Sequence, residues 1–113
     1  MKLDNLFAPR RDQTDDEYFE PLLERKGVKL ERILSRGHIT PEGEWYDQAY
    51  DEWVMVVKGA AQLRIDGRDT LVNMDAGDYI LLPAHCRHRV EWTSPEEETV
   101  WLALHLDAVP DKQ

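Results

Sequence analysis

Histidine is the residue type in this chain best suited to proton transfer or metal binding near neutral pH, and His88 has the most informative surroundings. It lies in residues 87–92, where charged and apolar residues alternate. Because side chains of a strand point alternately to opposite faces, His88, Val90 and Trp92 share one face, which we expect to point inward. The charged residues between them, Arg89 included, are then expected in solvent. An inward imidazole could act as a general base, because its pKa lies near neutrality.

Short β segments separated by turn residues must position these side chains. After residue 28 the turns recur at intervals of roughly 8–12 residues, which is typical of an all-β domain. So many short strands in so few residues must close into a barrel or pack as two sheets. The predicted strands cover residues 28–35, 44–48, 52–58, 61–65, 70–74, 79–82, 87–92 and 99–106.

A different pattern precedes these strands. Thr14 and Glu17 have the spacing of a capping box, which marks the start of a helix. Pro21 argues against one straight helix, because its ring clashes with the preceding turn. We therefore predict a short or broken helix over residues 15–26. The apolar residues at helical spacing in this segment are Tyr18, Phe19, Leu22 and Leu23.

Length and charge limit the class of protein. The chain of 113 residues is the size of one domain, which we divide into an N-terminal extension with the short helix (1–27), a barrel (28–108) and a tail (109–113). The net charge of −9 opposes binding to nucleic acid and to anionic membranes. Cys86 is the single cysteine, so an internal disulfide is excluded. Because the chain shows neither a membrane-spanning run nor a secretory signal, we expect a cytoplasmic protein.

The last predicted strand is apolar on both faces in the stretch from Trp101 to Leu104. A strand of that kind is buried on both sides. In a thin barrel the second side needs a partner. We therefore expect a homodimer with this strand at the interface, and the N-terminal segment as a further candidate for contact.

Two motifs make the sequence resemble the cupin superfamily. In the first, Glu52 and Gly59 have the spacing E-x6-G; in the second, Gly77, Pro83 and His88 have the spacing G-x5-P-x4-H. The resemblance covers most of the predicted barrel and is closest to small single-domain bacterial cupins of unassigned function. It implies an all-β fold, the cupin double-stranded β-helix or jelly-roll barrel. It also implies that Glu52 and His88 meet in the cavity of that barrel.

The sequence departs from the cupin pattern at the metal ligands. The first cupin motif normally supplies two histidines. Here Tyr46 and Gln48 hold their places, or Trp45 and Asp47 if the spacing to the glutamate is one residue longer. The three-histidine, one-glutamate set of the family is thereby reduced to one carboxylate and one imidazole.

A divalent metal is one hypothesis for this reduced site. Imidazole nitrogen and carboxylate oxygen are ligands that zinc, iron, manganese and nickel accept, and Gln48 could add a carbonyl oxygen to Glu52 and His88. The alternative is a buried ion pair without metal, because buried acids persist only when they are paired or hydrogen-bonded. Tyr46, Gln48 and Trp92 are the predicted contacts to a substrate.

Two classes of function remain open at this point. The first is a module that binds a small organic molecule in the barrel, which the loss of the metal-binding histidines favours. The second is an enzyme: a metal-dependent oxygenase or isomerase, or a metal-free isomerase or epimerase with His88 as the base and Glu52 beside it. The fold does not decide between them, because cupins host many unrelated roles. We take the binding module as the leading hypothesis.

Overall fold

A computed structural model describes residues 1–107, which form eight β-strands in two antiparallel sheets. The strands are β1 (Tyr18–Arg25), β2 (Val28–Ser35), β3 (Tyr50–Lys58), β4 (Ala60–Ile65), β5 (Val72–Asp75), β6 (Tyr79–Leu82), β7 (His88–Thr93) and β8 (Thr99–Asp107). The larger sheet has the order β1-β2-β8-β3-β6 and the smaller sheet the order β5-β4-β7. The predicted tail (109–113) and the last predicted barrel residue (108) lie outside the described residues. Within residues 1–107, no helix is long and apolar enough to cross a membrane.

The core lies between the two sheets, and the period-two alternation of their strands builds it. On β3, Glu52, Val54 and Val56 are buried, whereas the residues between them are partly exposed. Strand β4 alternates in the same way. The all-β architecture predicted from the turn spacing is therefore confirmed. The apolar residues of the core are Val54, Val56, Ala61, Leu63, Ile65, Met74, Leu82, Trp101 and Ala103.

The segment between β2 and β3 extends the smaller sheet beyond β7. The backbone of Tyr46 donates to the His88 carbonyl at 2.8 Å and accepts from the His88 amide at 3.1 Å. The predicted strand at 44–48 is therefore wrong in extent, because only Tyr46 forms a bridge. Pro41 and Gly43, just before it, interrupt any longer ladder. The single bridge nevertheless places Tyr46 directly beside His88.

The predicted N-terminal helix is wrong, because residues 18–25 form strand β1. This strand pairs with β2 in a hairpin that turns at Gly27, whose φ is +75°. Phe19 lies opposite Ile33 in that pairing. Pro21 is tolerated because β1 is an edge strand and its register shifts just after this residue. Pairing with β2 outweighs the local helical spacing, and the Thr14 hydroxyl accepts from the Asp16 amide instead of capping a helix.

A β-bulge in β7 overturns the predicted direction of the Trp92 side chain. Val90 lies opposite Leu63 and Trp92 opposite Gln62, so that Glu91 is an extra residue in the ladder. The bulge reverses the alternation after Val90. Trp92 therefore faces outward, with 40% of its surface exposed, contrary to the prediction.

Arg89 is buried, although the alternation predicted it in solvent. Its guanidinium donates to the backbone carbonyls of Thr40, Pro41 and Glu44 at 2.8–3.1 Å. These carbonyls belong to the irregular segment that covers this side of β7. A buried charge is tolerated there because it satisfies carbonyl groups that no strand partner would satisfy. Arg89 thus fixes the segment that carries Tyr46.

The glycine of the E-x6-G motif has a steric role. Gly59 has a φ of +94°, and a Cβ at this position would lie 2.5 Å from Oγ1 of Thr99. Only glycine avoids that clash between the start of β4 and the start of β8.

The outer face of the larger sheet carries the apolar side chains that motivated the expected dimer. Leu102 and Leu104 on β8 are only partly buried, and Leu81 on the neighbouring part of the sheet is exposed. Strand β8 lies between β2 and β3, so it has no free edge. A second copy that contacts β8 would therefore have to pack on the face of the sheet. The homodimer, the absence of nucleic-acid and membrane partners, and the cytoplasmic location stay predictions.

Candidate functional site

Glu52 and His88 meet across the gap between the two sheets. Glu52 points inward from β3 of the larger sheet, and His88 points inward from the first position of β7 in the smaller sheet. Oε1 of Glu52 lies 3.4 Å from Nε2 of His88, and both residues are buried. The distance is long for a hydrogen bond but allows strong charge attraction in a partly desolvated place.

The His88 ring is held in one orientation from two sides. Its Nδ1 donates to the backbone carbonyl of Cys86 at 2.8 Å, and its plane stacks on the Tyr46 ring with centroids 5.4 Å apart. This hydrogen bond fixes the proton on Nδ1 and leaves Nε2 toward Glu52. Burial alone lowers the pKa of His88, but the interaction with Glu52 and the bond to the Cys86 carbonyl outweigh burial and raise it above 6.5. The Glu52–His88 pair therefore holds a proton more tightly than a free imidazole does.

A second imidazole–carboxylate pair, Glu31 with His105, faces the same cavity. Nε2 of His105 lies 2.9 Å from Oε1 of Glu31, and both side chains are about nine-tenths buried. Burial raises the pKa of Glu31, but His105 and Lys29 outweigh it, so the net pKa lies below 4.5. The other His105 nitrogen, Nδ1, is buried without a hydrogen-bond partner among the described residues. Neither Glu31 nor His105 belongs to a motif that pointed to a site.

The register of the larger sheet brings the two pairs together. Glu52 on β3 lies directly opposite His105 on β8. Carboxylate and imidazole groups therefore follow one another across the cavity wall, from Glu31 through His105 and Glu52 to His88. His105 shares a face of β8 with the core residue Trp101, but the strand is apolar on both faces in the sequence, so its pattern does not show which face points to the cavity.

The two pairs lie on the wall of a cavity of about 580 Å³. This volume is within the range of small-molecule sites. Apolar side chains from both sheets form much of the wall, including Leu63, Leu82 and Trp101. A few polar groups on a mostly apolar wall can orient a bound molecule.

Of the predicted substrate contacts, the structure brings two to the cavity. Tyr46 and Gln48 line it, which selects the shorter of the two possible spacings in the first motif. Asp47 turns instead to His85, with Oδ1 and Nδ1 2.9 Å apart, and Trp45 packs under the Arg87 guanidinium. Trp92 does not line the cavity, because of the bulge in β7. The binding role of Tyr46 and Gln48 stays a prediction.

His85 stands where the second cupin motif normally has glycine. Its φ is +63°, a backbone conformation that glycine adopts without strain. The Asp47 carboxylate and the hydrogen bond from the His85 amide to the Gln48 carbonyl hold it there. The loop after β6 is thus tied to the loop that carries Tyr46 and Gln48.

The donor set does not fit a transition-metal centre. Within residues 1–107 no group of three or more His, Cys, Asp or Glu side chains is arranged to hold a metal ion. Glu52 and His88 supply two ligands, and the amide of Gln48 is a weak third. A divalent transition metal normally takes at least three protein ligands. A metal at Glu52, His88 and Gln48 is therefore unsupported by the arrangement, and no chemistry below depends on it.

Comparison with known proteins identifies the family. The profile of the cupin domain matches residues 35–105, and the chain belongs to the cupin family. A search of curated proteins finds no match. The expected superfamily and the jelly-roll fold are thereby confirmed.

Solved structures agree with this assignment. A protein of Ralstonia eutropha JMP134, provisionally assigned as a mannose-6-phosphate isomerase, is 54% identical, with a TM-score of 0.90 over 96% of this chain and 100% of that one. An RmlC-like cupin from Desulfovibrio desulfuricans is 18% identical, with a TM-score of 0.74 over 96% of this chain and 99% of that one. The protein TT1209 from Thermus thermophilus is 14% identical, with a TM-score of 0.75 over 96% of this chain and 100% of that one. The last two similarities concern the fold alone.

Proposed function

We propose that this cupin binds a small, hydroxyl-rich organic molecule in its barrel. The observation that carries the proposal is the buried Glu52–His88 pair on the otherwise largely apolar wall of a cavity of about 580 Å³. Charged groups in such a place are costly unless they are paired with each other or with a ligand. The pair, with Gln48 and Tyr46 beside it, offers donors and acceptors to hydroxyl and carbonyl groups.

Ligand binding is tested by thermal unfolding against a panel of sugars, sugar phosphates, amino sugars and hydroxy acids. A ligand that binds only the folded protein at about 100 times its Kd stabilises it by roughly 2.7 kcal/mol, which raises the Tm by about 10 °C. The shift should be reduced in Glu52→Gln and retained in Glu97→Gln, which removes a charge from an exposed loop. If no class of compound raises the Tm of the unmodified protein, the proposal fails.

A second candidate is a metal-free isomerase that uses the same pair. Two observations favour it: the raised pKa of His88, which makes the neutral ring a stronger base, and the 54% identity to the provisionally assigned isomerase. Nε2 of His88 would take the proton from the carbon next to a carbonyl group. The C–H electron pair would then form the double bond of an enediol, while the carbonyl oxygen takes a proton from water. His88 then returns its proton to the former carbonyl carbon, and the hydroxyl group on the carbon that was deprotonated gives its proton to water and becomes the new carbonyl group. Every proton is accounted for, and no redox partner is needed.

This activity is tested by proton NMR of an aldose in heavy water. Enzymatic enolisation exchanges the hydrogen next to the carbonyl group for deuterium, so its signal disappears. We expect His88→Gln to abolish the exchange and Tyr46→Phe to retain most of it. The rate should rise with pH through the raised pKa of His88, because only the neutral ring accepts a proton. Exchange that persists unchanged in His88→Gln would exclude His88 as the base.

A further inference from the structure

The cavity wall carries more negative than positive side chains. Five carboxylates line it, whereas Arg25 and Lys29 are its two lining side chains with a permanent positive charge. The carboxylates are Glu17, Glu24, Glu31, Glu52 and Asp107. They come from both ends of β1, from β2 and β3, and from the end of β8, so all five lie on the side of the cavity that the larger sheet forms.

The positive groups of the wall do little to offset this charge for a ligand. Nζ of Lys29 lies 3.7 Å from a Glu31 carboxylate oxygen. Arg25 lies at the exposed end of β1 and donates to the backbone carbonyl of Glu24 at 2.8 Å. His88 and His105 each face a carboxylate. An incoming anion would therefore compete with a carboxylate for Lys29, His88 and His105. Arg25 is the one lining cation among residues 1–107 that is not paired with a carboxylate.

The negative charge around the cavity contributes to the raised pKa values of two tyrosines. The pKa of Tyr46 is raised by burial and then by the charges of Glu17, Glu52 and Glu31 among others. The pKa of Tyr50 is raised by burial and then by Glu52 and Glu31. Both phenols thus resist taking a negative charge partly because the surrounding carboxylates repel it. A phosphate group would experience the same repulsion.

Two partly exposed aromatic side chains also line the cavity. Phe19 and Tyr46 line the cavity and keep 49% and 38% of their surface exposed. Aromatic rings beside carboxylates attract ammonium groups through the ring quadrupole and direct charge pairing. We propose that the cavity selects a small organic cation, a sugar-sized molecule that carries an ammonium group, and discriminates against phosphate esters. This inference rests on the proposed function, because it names the charge class of the ligand for the same cavity.

Three compounds with one carbon skeleton test the inference: mannose, mannosamine and mannose 6-phosphate, titrated by calorimetry near pH 6. We expect mannosamine to bind about tenfold more tightly than mannose, because one favourable charge contact in a partly desolvated site is worth at least ~1.4 kcal/mol. Mannose 6-phosphate should bind about tenfold more weakly than mannose for the same reason with the opposite sign. Tighter binding of the phosphate than of the amine overturns the inference but leaves the binding function standing. Failure of all three, together with the whole metabolite panel, instead overturns the binding function.

Charge variants show whether the lining carboxylates cause the selectivity. Glu31→Gln keeps an acceptor for His105 and should reduce the preference for mannosamine over mannose 6-phosphate by about tenfold. Glu24→Gln, at the exposed end of β1, should reduce it by less and serves as a second variant if Glu31→Gln folds poorly. Glu97→Gln makes the same charge change away from the cavity and should leave the preference unchanged. An equal change in Glu97→Gln would trace the selectivity to net charge and overturn the role of the cavity.

Discussion

The cavity holds two imidazole–carboxylate pairs that are built differently. Glu52 and His88 come from different sheets and stand 3.4 Å apart, with the histidine anchored to the Cys86 carbonyl. Glu31 and His105 come from neighbouring strands of one sheet and stand 2.9 Å apart. In the first pair the imidazole has a raised pKa, and in the second the carboxylate has a lowered pKa.

The difference separates a pair that can exchange protons from one that holds a charge. His88 has its pKa raised above 6.5, so its ring keeps a proton to a higher pH than a free imidazole does. Glu31 has its pKa lowered below 4.5 and stays ionised at neutral pH. The Glu52–His88 pair is thus the better candidate for proton transfer, and Glu31 contributes an ionised carboxylate to the wall.

The largest expected effect is on stability when one imidazole is removed. His88→Ala leaves Glu52 buried without its partner and should lower the free energy of unfolding by about 3 kcal/mol. His105→Ala should cost less, about 1–2 kcal/mol, because Lys29 still faces Glu31 at 3.7 Å. Urea unfolding of both variants at pH 7 measures the difference.

The double variant Glu52→Gln/His88→Ala is the control for that experiment. If an unpaired buried charge causes the loss, the neutral glutamine should recover part of it. A larger loss in His105→Ala than in His88→Ala would reverse the ranking of the two pairs. Equal losses with no recovery in the double variant would attribute the effect to lost packing.

A smaller expected effect is that the stabilisation from one pair is lost at high pH and the stabilisation from the other is lost at low pH. The stabilisation from His88 is fully present below the unfolded pKa of 6.5 and is lost as the pH rises through the higher folded pKa. The stabilisation from Glu31 is present above the unfolded pKa of 4.5 and is lost as the pH falls through the lower folded pKa. Stability should therefore be highest between about pH 5 and 6.5 as far as these two groups determine it.

Single variants show which residue causes the loss of stability on each side of the pH profile. His88→Gln should flatten the decline on the alkaline side, and Glu31→Gln the decline on the acid side. Urea unfolding at a series of pH values gives both limbs from one data set. A profile whose alkaline limb is unchanged by His88→Gln would contradict the assignment.

Much of the fold followed from local signals, and the errors have identifiable causes. Turn residues and alternation located β2, β4, β6 and β8 closely, because short-range chemistry determines those elements. The helix over residues 15–26 was wrong because pairing between Phe19 and Ile33 lies outside any local window. Trp92 was placed inward because one inserted residue in β7 is invisible in the periodicity and reverses everything after it.

The candidate site, like the fold, has one part that the sequence predicted and one part that it did not. Glu52 and His88 were predicted because cupin motifs fix their spacing, and the structure does bring them together. Glu31 and His105 belong to no motif, and their contact depends on the register between β2 and β8. Alternation would have put Glu31 outside the barrel, because the apolar residues Val28, Leu30 and Leu34 lie on the other face of β2. It also could not have shown that Glu31 and His105 meet, since they are 74 residues apart in the chain.

The smallest expected effect is on the metal content of the purified protein, which would show a further difference between the two pairs if metal were present. Because the Glu52–His88 pair offers one carboxylate and one imidazole, we expect substoichiometric zinc, iron, manganese and nickel in protein purified without added metal. Elemental analysis of the unmodified protein, His88→Ala and His105→Ala should give the same low content, and EDTA should leave the Tm unchanged. A stoichiometric metal lost in His88→Ala but kept in His105→Ala would make the first pair a metal centre. Its raised imidazole pKa would then be irrelevant to the working site, since a metal-bound imidazole nitrogen cannot carry the proton.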